Sequence, residues 1–127
     1  MPRKFNPDTL YRPHGLYHNA VEVPAGETLV FSSGIIGCTA DGTLVQEPGE
    51  QMIQAWKNVA AFLEGAGMTT DNLVRLTMHI PNRDHVALSK QARIQVLGEH
   101  MQCAVTGLIT DLFDPDLVIE IDIVAAR

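Results

Sequence analysis

The chain has 127 residues, 46% of them hydrophobic and 19% charged, with a formal net charge of −6. That length fits one domain able to bury a core, and the acidic balance argues against a nucleic-acid partner, which needs a basic face. No apolar run is long enough to cross a bilayer, and no apolar segment follows the basic residues near the start, so no membrane span or signal peptide is expected and the default address is the cytoplasm.

Residues 1–15 carry Pro2, Pro7 and Pro13 and read as an extended leader ahead of one domain over residues 16–127. A strand is expected from Leu16 to Val23, a turn at Pro24–Glu27 and a second strand over Leu29–Gly34. Asp41-Gly42 signals a tight turn, with Leu44-Val45 returning from it. From Glu50 to Gly65 the period changes: Met52, Ile53, Trp56, Val59, Ala60 and Leu63 form one stripe of an amphipathic helix, with Gly65 and Gly67 as stop signals. Val74, Leu76, Met78 and Ile80 then alternate as a strand. A second helix is expected from a cap at Asp84 to about Leu97, ended by Gly98. Cys103–Thr110 and Leu117–Ala125 close the chain as strands.

In the closing strand, Ile119, Ile121 and Ile123 share one face and Glu120 and Asp122 the other. The two carboxylates would stand roughly 6.6 Å apart along such a strand. The order β-β-β-α-β-α-β-β, with hairpins at the start and near the end, predicts an α+β fold: a mixed sheet with both helices on one face. The other face would carry Thr106, Leu108, Thr110, Val118, Glu120 and Val124, too apolar to be simply wet. A closed homo-oligomer is therefore expected.

Leu16-Tyr17-His18-Asn19-Ala20 resembles the Tyr-Ser-Gln-Ala opening of a known family, and Val30-Phe31-Ser32-Ser33-Gly34 its Val-Phe-Val-Ser-Gly strand. Gln54-Ala55-Trp56-Lys57-Asn58-Val59, Gly65-Ala66-Gly67 and Leu73-Val74-Arg75-Leu76-Thr77 follow in the family's order and spacing, and Leu117-Val118-Ile119-Glu120-Ile121-Asp122 resembles its closing Leu-Val-Glu-Ile-Glu strand with one residue inserted. Over about residues 16–126 the chain resembles the RidA/YjgF family, formerly called endoribonuclease L-PSP. That resemblance implies a chorismate-mutase-like (YjgF-like) homotrimer with clefts between subunits. It also implies hydrolysis of reactive enamines and imines to 2-keto acids and ammonia, with no metal or organic cofactor. In that scheme an Arg pairs with the substrate carboxylate, and a Glu positions or activates the attacking water.

Carried over, Tyr17, Gly34 and Glu120 match the family's site, with Glu120 as the catalytic, water-directing group. The Pro-x-Arg-x-Cys stretch aligns with Gln102-Cys103-Ala104-Val105-Thr106, so Ala104 stands where the carboxylate-binding Arg would be and Thr106 where the Cys would be. Ser89 stands where a helix Asn often faces the cleft. The expected substrate-binding set is thus Tyr17, His18, Gly34, Ser89, Ala104, Val105 and Thr106. An Arg holds a carboxylate through two parallel charge-assisted hydrogen bonds, each contributing roughly 1.5–3 kcal/mol. Alanine supplies neither. Either another cation enters the cleft (His14, His18, Arg12 or Arg93, with His18 nearest to Tyr17 in sequence) or the ligand lacks that carboxylate.

Blander readings stand beside these. Glu120 could be a solvated carboxylate on a sheet face, Tyr17 could pack at a subunit boundary, and Thr106 is a common strand residue. Cys38 and Cys103 form no disulfide framework and read as reduced thiols in apolar surroundings. His14 and His18 have helical ligand spacing, but Pro13 and Gly15 oppose a helix there; His79, His85 and His100 have no ligand spacing, so no metal is expected. Ser33 lacks a nucleophile elbow, and Gly34 and Gly37 lack a phosphate-loop continuation. The expected function is a RidA-like hydrolase or deaminase of an imine-, enamine- or amide-type metabolite, acting in inter-subunit clefts but not as the typical 2-imino acid deaminase, because of Ala104. The alternative is a non-catalytic trimer that binds a small ligand or a protein. Ribonuclease activity, credited to parts of the family, sits badly with the acidic charge.

Overall fold

Burial of a single isoleucine face organises the architecture. Ile119, Ile121 and Ile123 are 0%, 0% and 2% exposed, and covering each contributes roughly 1.5–3 kcal/mol. The computed structural model describes residues 1–14, 17–100 and 102–127. In chain order these form β1 (Arg3–Phe5), β2 (Ala20–Glu22), β3 (Leu29–Phe31), α1 (Pro48–Gly65), β4 (Leu73–Ile80), α2 (Val86–Leu97), β5 (Ala104–Ile109) and β6 (Glu120–Ala126). Short 3₁₀ turns over Thr70–Asn72 and Arg83–His85 lead into β4 and α2. Leu16, the expected start of the domain's first strand, lies outside the described residues.

The main sheet has the order β3-β6-β4-β5. β6 runs antiparallel to both β3 and β4, and β4 runs parallel to β5 across α2. Neither expected hairpin forms. β2 pairs with β1 in a separate two-stranded sheet, and β6 inserts between β3 and β4 rather than beside β5. The most apolar strand face takes a central seat, where the helices cover it, and a parallel partner after a helical crossover is left at the edge. The leader, expected to be extended, supplies β1, whose Arg3 Nε donates to Glu22 Oε2 on β2 at 2.7 Å. Asp41-Gly42 does form a tight turn, with Gly42 at φ 88° and Cys38 bridged to Leu44.

Both helices lie on the isoleucine side. Met52, Ala55, Trp56, Val59 and Leu63 of α1 join Leu73, Leu76, Ile121 and Ile123 in one core. Glu47 caps α1 by accepting from the Glu50 amide at 2.6 Å, with Pro48 in the first turn, where its missing N–H costs nothing. Gly65 is the last helical residue, and Gly67, at φ 69°, makes the left-handed stop. Asp84 is not a cap: Asn82 accepts from the Asp84 amide and caps the 3₁₀ turn, and α2 begins behind it with no side-chain cap. One buried polar residue of α1 falls outside the apolar stripe. Gln51 Nε2 donates to the carbonyls of Val45 (2.8 Å) and Asp116 (3.0 Å), and its Oε1 accepts from the Val118 amide at 2.7 Å.

Candidate functional site

The registers set out the uncovered face of the sheet in three rows. Leu108, His79 and Glu120 stand side by side, then Thr106, Thr77 and Asp122, then Ala104, Arg75, Val124 and Phe31. Residues directly opposite one another share a face, so carboxylates, an imidazole, a guanidinium and exposed hydrophobics occupy one surface. Phe31 is 67% exposed, and Leu29, Leu108 and Phe113 are exposed as well.

Glu120 is half-buried at one end of this surface. Its side chain lies across Gly34, where a Cβ would come within 2.6 Å of Glu120 Cδ and 2.8 Å of Oε1. Any side chain at position 34 would force the Glu120 side chain to move from this seat. Glu120 shares a cavity with His79, Thr110, Asp111, Leu112 and Phe113. His79 Nδ1 lies 3.0 Å from the Glu120 carbonyl oxygen and 3.9 Å from Asp122 Oδ1. A carbonyl can only accept, so Nδ1 carries the hydrogen and Nε2 is the basic nitrogen of a ring lining the cavity. His79 was not expected from sequence; its pairing with Glu120 depends on the β4–β6 register.

A second cavity, of about 200 Å³, lies on the opposite side of β4 and β5, beneath α2. Tyr17, Ser89 and Val105 line it, together with His14, Met78, Ile80, Val86, Lys90 and Arg93. Val105 points to this side because Ala104 and Thr106 point to the other. The expected binding residues therefore divide into two groups within one subunit. Gly34 and Glu120 meet at one site, while Tyr17, Ser89 and Val105 meet at the other.

His18 lines neither cavity. Its amide donates to the Cys103 carbonyl at 2.8 Å, and burial, aided by Lys4, lowers its pKa towards the neutral ring, a poor cationic anchor. Arg12 is solvent-exposed beside Asp8. Arg75 stands directly across from Ala104, and its Nη2 donates to Thr106 Oγ1 at 2.7 Å. Only the parallel β4–β5 register reveals it. Burial pushes the Cys103 thiol up to about 11, so it remains protonated near neutral pH and is no nucleophile. Among the described residues, no group of three or more His, Cys, Asp or Glu side chains could hold a metal ion. Among them, too, no helix is long and apolar enough to cross a membrane.

Two helices on one face of a mixed four-stranded sheet define a YjgF-like α+β protein. The family profile described as Endoribonuclease L-PSP matches residues 9–127. A conserved Rid-family protein from Yersinia pestis is 28% identical, with 99% of this chain and 98% of that chain covered at a TM-score of 0.77. A curated RutC family protein of Aquifex aeolicus (strain VF5) is 45% identical over 69 residues, 54% of this chain and 53% of its own length. The chain thus spans about half the length of the curated relative it matches. Escherichia coli TdcF with bound serine shares the fold at 23% identity, with 91% of each chain covered and a TM-score of 0.71. The chain belongs to the RidA/YjgF (endoribonuclease L-PSP) family.

Proposed function

We propose that the protein is a homotrimeric, cytoplasmic hydrolase that releases ammonia from a small imine- or enamine-type metabolite in clefts between subunits. The observation that carries this reading is the Glu120 carboxylate seated over Gly34 and sharing a cavity with His79. Glu120 takes a proton from water as the oxygen bonds to the imine carbon and the nitrogen gains a proton. The nitrogen takes that first proton from solvent. The carbinolamine then loses ammonia by C–N cleavage, the leaving nitrogen receiving the proton that Glu120 held while the hydroxyl returns its own proton to solvent as C=O forms, and the carbonyl product departs. No cofactor is required, because water is the only co-reactant.

The need for a second subunit is supported by the division of the binding residues. Glu120 and Tyr17 line cavities on opposite sides of the sheet, and the exposed Phe31, Leu108 and Phe113 surround the Glu120 side. Apposition of two copies would cover that apolar surface. The cleft then pairs Glu120 of one copy with Tyr17, Ser89 and Val105 of another.

Ammonia release from 2-imino acids, generated in situ by an amino acid oxidase, tests the reading. Wild-type protein should accelerate it, and Glu120→Gln should lower the rate by roughly 10²–10⁴-fold without loss of fold. Equal rates for the two proteins would defeat the hydrolytic reading. The binding-protein alternative rests on Ala104 and would then be preferred.

A further inference from the structure

The cavity beneath α2 has a one-sided charge. Among the described residues Arg93, Lys90 and His14 line it, and no aspartate or glutamate does. Its remaining walls include Met78, Ile80 and Val86. Arg93 is only 6% exposed, and its guanidinium lies 5.9 Å from the ring centroid of Trp56, which is fully buried. Packing therefore fixes the position of the cation. Burial lowers the Arg93 pKa, yet arginine remains charged throughout the physiological range. Low polarity around such a group strengthens its attraction for an anion.

We infer that Arg93, reaching in from α2, supplies the carboxylate anchor that Ala104 withholds from β5, so that the cavity takes a small monoanionic acid with a short apolar tail. The inference rests on the proposed cleft and narrows its substrates to short-chain 2-imino acids, recognised from the helix side of β5. Arg75 is the competing cation, but it is exposed and donates to Thr106 on the uncovered face. Water and salt screen it there. A guanidinium carries five N–H donors in a fixed fork, so Arg93 can serve both its protein surroundings and a carboxylate.

The test uses the full chain, with 2-oxobutyrate and 2-oxobutyramide as probes. These differ in charge and hardly in size. Trp56, the single tryptophan, reports occupancy by fluorescence, and saturation-transfer NMR checks it. The acid should bind at least roughly 100-fold more tightly than the amide, the factor expected from two charge-assisted hydrogen bonds. Arg93→Met should abolish that preference, Arg93→Lys should restore part of it, and Arg75→Met should leave it within about threefold. Should Arg93→Met fail to fold, Val86→Asp at the exposed rim should selectively weaken the acid. Equal binding of acid and amide, binding of neither, or loss of the preference in Arg75→Met alone would each overturn the inference. These outcomes are separate from the hydrolytic reading: an acid preference without ammonia release spares Arg93 and sinks hydrolysis, whereas ammonia release indifferent to Arg93 does the reverse.

Discussion

The two cavities of this subunit are near opposites. Beneath α2, cations and apolar side chains line a space with no carboxylate among the described residues; on the uncovered side, Glu120 and Asp111 share a space with His79 and the fully exposed Phe113. In the proposed function the first holds the substrate and the second moves protons. Neither contains both kinds of group, and β4 contributes to each: Met78 and Ile80 to one, His79 to the other. A strand alternates its faces by geometry, so one element can serve two neighbouring copies.

The sharpest way to break this contrast is to silence one cavity and watch the other. Glu120→Gln should lower ammonia release by roughly 10²–10⁴-fold while acid binding beneath α2, read by Trp56 fluorescence, changes by less than about twofold. A parallel collapse of binding would mean that the two sites do not divide the work. Ile121→Ala attacks the strand that supports the proton-moving side from within the core. A fully buried residue there should cost about 2–5 kcal/mol, measured as a fall in the urea midpoint. Little change would show that the isoleucine face does not govern stability.

Gly34→Ala is subtler. The new methyl would lie 2.6 Å from Glu120 Cδ, so the carboxylate must shift, and activity should drop about tenfold or more with acid binding intact. Unchanged kinetics would mean that the seat over Gly34 is incidental. The smallest expected effect concerns pH. His18 has its pKa lowered below 6.5 by burial, so the unfolded chain binds the proton first and stability falls as pH drops below that value. His18→Gln should flatten this decline in thermal melts at pH 5–7, and an identical profile would remove His18 from the account.

How far these features were legible depends on whether they are local. α1 followed from its stripe and its glycine stop, and the buried face of β6 from strict alternation. β1 did not, because Arg3-Lys4-Phe5 is short and flanked by prolines, and its strand identity comes from β2. Asp84 did not cap the second helix because an intervening 3₁₀ turn, itself capped by Asn82, moved the start to Val86, where no side chain caps it. Tyr17, Ser89 and Glu120 could be nominated from a family likeness, but their division between opposite sides of the sheet needed strand parity across β4 and β5. His79 and Arg75 were invisible for the same reason: each matters only through the residue beside it on a neighbouring strand.

The amide of Gln51 has a mechanical consequence. It grips Asp116 and Val118 at one end of the β5–β6 connection, while the Thr110 amide bonds to the Ile80 carbonyl at the other. Between those two clasps residues 111–115 form a short arch with Phe113 at its crown, braced where Asp114 accepts from the amides of Asp116 and Leu117. Its reach is bounded by its length, at about 3.3 Å per residue. Adding or deleting a residue in the arch would re-aim the phenyl ring while the clasps held the scaffold still, so this connection can be varied without disturbing the core.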